Sequence, residues 1–245
     1  MAKQRADQML VARGLVESRA RAQALILAGV VRSGEARIDK AGQMLAETAP
    51  LTVTGRDHPW VSRGGLKLAH GLTAFGFSAA GRVCLDIGAS TGGFTDVLLA
   101  NGAARVHAVD VGRGQLAWSL RNDERVAVHE ATNARYLDAA TIGEEVDALV
   151  CDASFIGLAT VLPAPLALCR TGAWAIALIK PQFEAGPGGV GKGGVVRDPA
   201  VHQEVCERIR AWWSGLPGWT VMGIEKSPIT GPEGNIEFLL GAIRA

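Results

Sequence analysis

The sequence lacks the marks of several protein classes. Its 245 residues hold only four cysteines, Cys84, Cys151, Cys169 and Cys206, far apart and with no C-x-x-C pair. That pattern excludes a disulfide scaffold and points to reduced, buried thiols, and so to the cytoplasm rather than to secretion. No charge sign dominates: 25 Lys and Arg against 24 Asp and Glu leave a net +1, so bulk composition does not mark a nucleic-acid binder. Long hydrophobic runs are missing as well. The longest charge-free stretch, residues 153–169, has 17 residues and carries Pro163 and Pro165, short of the roughly 20 apolar residues of a membrane helix. The first ten residues, "MAKQRADQML", carry charge but no apolar signal-peptide core. What is abundant is apolar residues, at 48%, and glycine, at 31 residues, which suits a packed α/β protein with many tight turns.

Charge is unevenly distributed. Residues 1–40 hold Lys3, Arg5, Arg13, Arg19, Arg21, Arg32, Arg37 and Lys40 against four acids. Two short helical patterns follow one another there, Met9, Leu10 and Leu15 forming one apolar face and Ala20, Ala24, Leu25 and Leu27 the next. Gly14 suits a helix C-cap, Ser18 an N-cap, and "VVRSGEARI" a hairpin turning at Ser33-Gly34. A bare basic run reads first as a solvated helix face. This one resembles the S-four-type RNA-binding module through Gly14-Leu15, Ser18-Arg19, Gly29-Val30 and Lys40-Ala41-Gly42. The resemblance implies that residues 1–55 grip structured RNA through phosphates and shape, with Lys3, Arg5, Arg19 and Arg21 as contacts.

A linker at 56–62, in "TGRDHPWVSRGG", separates this unit from residues 63–245. Apolar runs then recur at α/β spacing, predicting strands at 83–86, 106–110, 126–130, 148–151 and 174–179, and a final pair at 220–226 and 236–243. The fold expected is a doubly wound, Rossmann-like sheet closed by an antiparallel C-terminal hairpin.

The stretch "LDIGASTGGFTDVLL", residues 85–99, reads as strand, glycine turn and helix. Gly88-Ala89-Ser90-Thr91-Gly92 matches the nucleophile elbow of serine hydrolases, with Asp152 and His202 in the right chain order for a triad. However, His202 sits in an amphipathic surface-helix pattern, and five scattered histidines make a chance third member easy to find. A dinucleotide fingerprint is broken because Ser90 stands at its second glycine. S-adenosylmethionine has no phosphate, and its loop has other needs: an acid at the strand end (Asp86), close-passing glycines (Gly88, Gly92, Gly93), and a second acid for the ribose hydroxyls (Asp110). Asp86 is positioned to hold the ammonium side of the methionine part. Asn133 is placed for the adenine edge. Ser62, Gly64, Ala89, Ser90, Phe94, Val111 and Asp152 complete the expected cofactor set, and no metal is expected.

Four further residues fall where chemistry is expected: Lys67 in "SRGGLKL", Asp152 in "VCDASF", Lys180 in "ALIKPQFE" and Glu237 in "GNIEFLL". Each alone has a structural explanation, such as a snorkelling lysine, a helix cap or an edge charge. Lys180 is harder to explain that way, since an ammonium after "AWAIALI" is costly to bury without partners. The strings "WVSRGGLKL", "CLDIGASTGGFTDVLL", "DVGRGQLAWSLRND", "CDASFI", "IKPQFE", "GKGGVVRD" and "GNIEF" resemble those of the TlyA family of ribosomal RNA 2′-O-methyltransferases, whose catalytic domain is similar to the FtsJ (RrmJ) group. The resemblance implies a catalytic tetrad of Lys67, Asp152, Lys180 and Glu237. A ribose 2′-OH is a poor nucleophile, so the enzyme must align it and drain its proton during attack. Lys180 is expected to accept that proton, Asp152 to position Lys180, and Lys67 and Glu237 to hold the ribose.

Residues 186–194, "GPGGVGKGG", imitate a phosphate loop, but Gly193 stands where Ser or Thr would bind magnesium. A lid near the RNA is expected instead, with Lys192 and Arg197 on phosphates. The resemblance implies methylation of cytidine in 23S rRNA, within ribosomal subunits, with 16S rRNA as a second target of some members; a monomer in the cytoplasm is expected. A non-catalytic RNA-binding or ribosome-assembly protein and a membrane-active hemolysin remain as alternatives.

Overall fold

The computed structural model describes residues 3–16, 18–27, 29–54, 58–186, 188–191, 193–231 and 233–245. The first part of the chain contains β1 (Lys3–Arg5), α1 (Ala6–Ala12), α2 (Arg19–Leu27), β2 (Val31–Ser33), β3 (Ala36–Arg37), β4 (Met44–Ala46) and β5 (Thr52–Val53). Strands β1 and β4 pair antiparallel, and β3-β2-β5 make a second small sheet. Gly14 follows α1 in the left-handed region, at φ +64°. The Ser18 hydroxyl accepts from Arg21 N at 3.2 Å, the expected N-cap. The hairpin turns at Gly34-Glu35, one residue later than expected, because Ser33 pairs with Ala36. Ala6, Met9, Leu10, Ala22, Ile26, Val31 and Ile38 form a core of their own. The buried face of α2 is therefore Ala22 and Ile26, one turn apart, and Leu27 is 84% exposed. In an alanine-rich helix the hydrophobic period is weakly marked, which is why the expected face was rotated.

The rest of the chain contains α3 (Gly64–Phe75), β6 (Val83–Ile87), α4 (Gly93–Ala100), β7 (Arg105–Val109), α5 (Trp118–Arg121), β8 (Val126–His129), α6 (Ala139–Ile142), β9 (Val146–Cys151), α7 (Leu158–Val161), α8 (Pro163–Ala167), β10 (Cys169–Ile179), α9 (Pro181–Glu184), α10 (Pro199–Ser214), β11 (Trp219–Lys226) and β12 (Phe238–Arg244). Seven strands form one sheet in the order β11-β12-β10-β9-β6-β7-β8. The five from β10 to β8 are parallel, and β12 runs antiparallel to both β10 and β11.

Side chains alternate across the sheet. Leu85 and Ile87 join a core with Val205, Ile209 and Trp213 of α10. Cys84 faces the other way, toward Leu68 and Leu72 of α3 and Val97 and Leu98 of α4. This gives three layers, helix, sheet and helix. All four cysteines are free, and burial pushes the thiols of Cys84, Cys151 and Cys169 up to about 12. Among the described residues no helix is long and apolar enough to cross a membrane.

The strand order fixes where a ligand can sit. From β6 the sheet grows one way through β7 and β8, then reverses to β9 and β10. In such sheets ligands bind beyond the carboxyl ends of the strands, at the reversal. Here that point lies between β6 and β9, whose ends carry Gly88 and Asp152.

Candidate active site

A cleft of about 780 Å³ opens there, lined among others by Ser62, Gly64, Lys67, Asp152, Lys180 and Glu237. Topology explains how residues 170 apart in sequence converge. Because β12 is antiparallel to β10, its start lies beside the end of β10, with Ile179 paired to Phe238. Lys180 and Glu237, the next residues outward, are therefore neighbours. Glu237 precedes its strand, which begins at Phe238 rather than at 236 as expected. Lys67 comes down from the first turns of α3, the helix that Gly71 lets lie close to Ile176 and Leu239.

The four side chains form an alternating chain of charge. Glu237 Oε2 accepts from Lys67 Nζ at 2.6 Å, and Lys67 Nζ lies 3.7 Å from Asp152 Oδ2. Asp152 Oδ1 then sits 2.7 Å from Lys180 Nζ, a contact outside hydrogen-bond alignment and so ionic in character. Lys180 Nζ donates instead to the Asp152 backbone carbonyl at 3.1 Å and to Ser154 Oγ at 2.7 Å. Both lysines and Glu237 are buried, while Asp152 keeps some access to solvent. Two ammoniums and two carboxylates cancel, and that mutual compensation lets such charges be buried. Sequence reasoning missed Ser154. Its signal was its place two residues beyond Asp152, in "DAS".

It also missed Phe155, which is 89% exposed and holds φ +65°. A bulky residue rarely adopts the left-handed region, and an exposed ring gains little from burial. Phe155 lies against Phe183, ring centroids 5.0 Å apart, and Phe183 in turn lies under the Lys180 ammonium at 5.9 Å. The chain thus presents an aromatic face beside the tetrad.

The glycine turn forms the other wall. Gly88 has φ +82°, and a Cβ there would lie 2.9 Å from the Ala153 backbone, so β6 and β9 can end this close only with glycine. At Gly93 a Cβ would fall 2.3 Å from Ser62 Oγ, which fills that space between α3 and α4. Gly64, Ala89, Ser90 and Phe94 also line the cleft. Gly92 supports the turn from behind, close to Leu116 and Leu120. Asp110 braces the turn: its Oδ2 accepts from Ser90 N at 2.8 Å and its Oδ1 from Gly112 N at 2.7 Å. Each of those oxygens keeps a further lone pair for a ligand hydroxyl. Val111 is exposed beside it. Asn133 is exposed, and its side chain accepts from Arg135 N.

Asp86 lies beneath the turn, fully buried, with Oδ2 accepting from Thr95 Oγ1 at 2.7 Å and Oδ1 without a hydrogen bond. Burial pushes its carboxyl up to about 7, against the Thr95 hydrogen bond. As pH rises from about 4 to about 7 the unfolded chain loses a proton that the folded chain keeps, so native stability falls across that window. Asp86→Asn has no such loss. In the cofactor-free protein its stability relative to the parent is expected to rise by a few kcal/mol between about pH 5 and about pH 8, read by denaturant midpoints. A pH-independent difference would show that Asp86 is ionised throughout.

The hydrolase alternative fails on contacts. Ser90 Oγ meets Gln115 at 3.3 Å, and His202 Nε2 is taken by the Val196 carbonyl at 3.0 Å. Of the expected RNA contacts, Arg5 and Arg19 both reach the buried Asp7, at 3.0 and 3.1 Å. The Arg5 hydrogen bond holds that carboxyl well below the usual range. Asp7 thus orients two guanidiniums, which sequence reasoning did not see. Lys3, Arg21 and Arg197 are exposed, and Lys192 lies outside the described residues.

A Rossmann-like sheet with a glycine turn at its switch point, and an acid ending the next strand, defines the class of S-adenosylmethionine-dependent methyltransferases. The cleft fits that cofactor through its polar and apolar walls, with Asp110 beside the turn keeping free lone pairs, whereas the glycines expected to admit the ligand pack against Ala153, Leu116, Leu120 and Ser62. The model of the FtsJ-like methyltransferase family matches residues 60–244. The chain is 51% identical to the 16S/23S rRNA (cytidine-2′-O)-methyltransferase TlyA of Mycobacterium tuberculosis, over 96% of this chain and 88% of that one. It is 49% identical to YqxC of Bacillus subtilis, a candidate rRNA methyltransferase, over 97% of this chain and 85% of that one. A solved candidate hemolysin from Streptococcus thermophilus superposes with a TM-score of 0.77 at 41% identity, covering 100% of this chain and 90% of that one. The chain belongs to the FtsJ-like methyltransferases, in the group of TlyA and its hemolysin-named relatives. It is an enzyme, and S-adenosylmethionine is its cofactor.

Proposed function

We propose that the protein methylates the 2′-OH of a ribose in ribosomal RNA, with Lys180 as proton acceptor. The observation that carries this reading is the alternating chain Glu237, Lys67, Asp152, Lys180 at the mouth of the cofactor cleft. When bound, S-adenosylmethionine supplies a methyl on a sulfonium with a good leaving group. The protein's part is to bring the hydroxyl in line and to take its proton. Lys180 first releases its own proton to water and then, as the neutral amine, would accept the hydroxyl proton as the ribose oxygen attacks. Asp152 and Ser154 fix the direction of the Lys180 Nζ. Lys67, steadied by Glu237, donates to the ribose, and Glu237 accepts from it.

The relatives' names favour cytidine in 23S rRNA, with 16S rRNA as a second target. Residues 1–55 serve as the RNA grip, with Lys3, Arg5, Arg19 and Arg21 on phosphates, and Arg197 and Lys192 adding contacts from the glycine-rich segment. The enzyme works as a cytoplasmic monomer on ribosomal subunits. Incubating it with subunits and methyl-labelled cofactor tests this reading against its rivals. Label in the RNA is expected. Tight binding without label would favour an assembly protein, and leakage of dye-loaded vesicles a membrane-active one.

Phe155 is the proposed stacking surface for the target base or its neighbour, since sequence-specific RNA recognition splays bases onto aromatic rings. Phe155→Ala is expected to lower methyl transfer to RNA roughly ten- to a hundredfold, from the energy of one base–aromatic stack. Its thermal stability and cofactor affinity should stay at the parent values, because the ring is exposed. Parent-like kcat/KM would remove Phe155 from the site.

A further inference from the structure

We infer that Asn235 is a positioning residue for methyl transfer, fastening the glycine-rich segment 186–197 to the strand start that delivers Glu237. The inference rests on the tetrad reading above. Asn235 is buried, yet its side-chain amide is bonded at both ends. Its Oδ1 accepts from Val196 N at 2.9 Å, and its Nδ2 donates to the Gly194 carbonyl at 3.0 Å. A carboxamide that offers an acceptor and a donor to residues two apart imitates a rung of a β-ladder. The Val196 carbonyl is held from the other side by His202 of α10, and Val196 itself is buried. The exit of the segment is therefore pinned. Its crown is held by internal bonds among the described residues, Gly189 N to Gly186 O at 2.9 Å and Gly194 N to Gly191 O at 3.1 Å.

The backbone of Asn235 acts on the catalytic side. Its carbonyl accepts from Gly231 N at 2.9 Å, closing the turn that wraps Glu237. A Cβ on Gly231 would stand 2.7 Å from Glu237 Oε1. There is thus no slack between that turn and the carboxylate whose other oxygen holds Lys67. One residue sets the glycine-rich segment and the Glu237–Lys67 pair relative to each other. A segment that shifts at its exit drags the turn, and the turn moves Glu237.

The test compares Asn235→Ala and Asn235→Asp with the parent, using hydrogen exchange, calorimetry with S-adenosylhomocysteine, and steady-state methylation of ribosomal subunits. Asn235→Asp is nearly isosteric and guards against a folding defect. It keeps the acceptor for Val196 N but loses the donor to Gly194. Asn235→Ala is expected to raise amide exchange in residues 193–197 and to lower kcat roughly ten- to a hundredfold, the scale of a small misplacement of reacting groups. KM for RNA and affinity for S-adenosylhomocysteine should stay near the parent values, and Asn235→Asp, which sets a carboxylate oxygen against the Gly194 carbonyl, should lose at least as much kcat. Faster exchange with unchanged kcat would overturn the coupling. So would a parallel loss of kcat and cofactor affinity, which marks collapse of the whole site. A parent that transfers no methyl overturns the tetrad reading, a result distinct from an active parent matched by an active Asn235→Ala.

Discussion

Lys180→Ala is expected to slow single-turnover methyl transfer by roughly 10²- to 10⁴-fold, the usual contribution of a positioned acid or base, with S-adenosylhomocysteine binding unchanged. The residue directly follows β10, whose last seven residues, 173–179, are apolar and buried, and its Nζ meets the Asp152 carbonyl, Ser154 Oγ and the Asp152 carboxylate, with the Phe183 ring nearby. Removing it leaves Asp152 with Lys67 at 3.7 Å, so the fold keeps a compensating cation. Lys180→Arg separates two roles that alanine confounds. A guanidinium keeps the positive charge but does not act as a base in a protein. If Lys180 only steadies charge, Lys180→Arg retains much of the rate. If it takes the proton, arginine is as inactive as alanine, and that is the expected outcome.

Asp152→Asn should produce the second large effect, a loss of roughly a hundredfold or more. The carboxylate stands between two ammoniums, 3.7 Å from Lys67 and 2.7 Å from Lys180. Asparagine preserves its shape and the backbone carbonyl that Lys180 uses, yet leaves two buried lysines with Glu237 alone. Lys180 then keeps its hydrogen bonds to the Asp152 carbonyl and Ser154 Oγ but loses the negative charge beside them. Because both residues serve one step, their effects should not add. Asp152→Asn with Lys180→Ala is expected to be no slower than Lys180→Ala alone. Additive losses would mean that Asp152 acts independently, for instance directly on cofactor or ribose.

Much of this site could be read from the residues. Strand ends carrying Asp86, Asp110, Asp152 and Lys180 follow from apolar runs that stop at a charge, and the sheet follows from their spacing. The glycines of the turn carry their own signature, since Gly88 and Gly93 sit where any Cβ would strike a neighbour. What stayed hidden depends on contacts across the fold. Asp7 reads as one of four acids in a basic segment until Arg5, Arg19 and Gln23 are seen to converge on it. Asn235 reads as a loop residue until its amide is found 41 positions away at Gly194. Phe155 shows itself only through exposure and a positive φ, neither of which has a sequence pattern. The buried face of α2 was misread because a nine-residue helix with three alanines gives the period little to work with.

The most direct test of the central claim is mass spectrometry of rRNA fragments from ribosomal subunits treated with the parent enzyme or with Lys180→Ala. At the time the parent has just completed one turnover, a methyl on a cytidine ribose is expected with the parent and at most about a hundredth of it with the variant. A methyl on a base, or a ribose methyl that reaches the parent's level in Lys180→Ala at that same time, would contradict it.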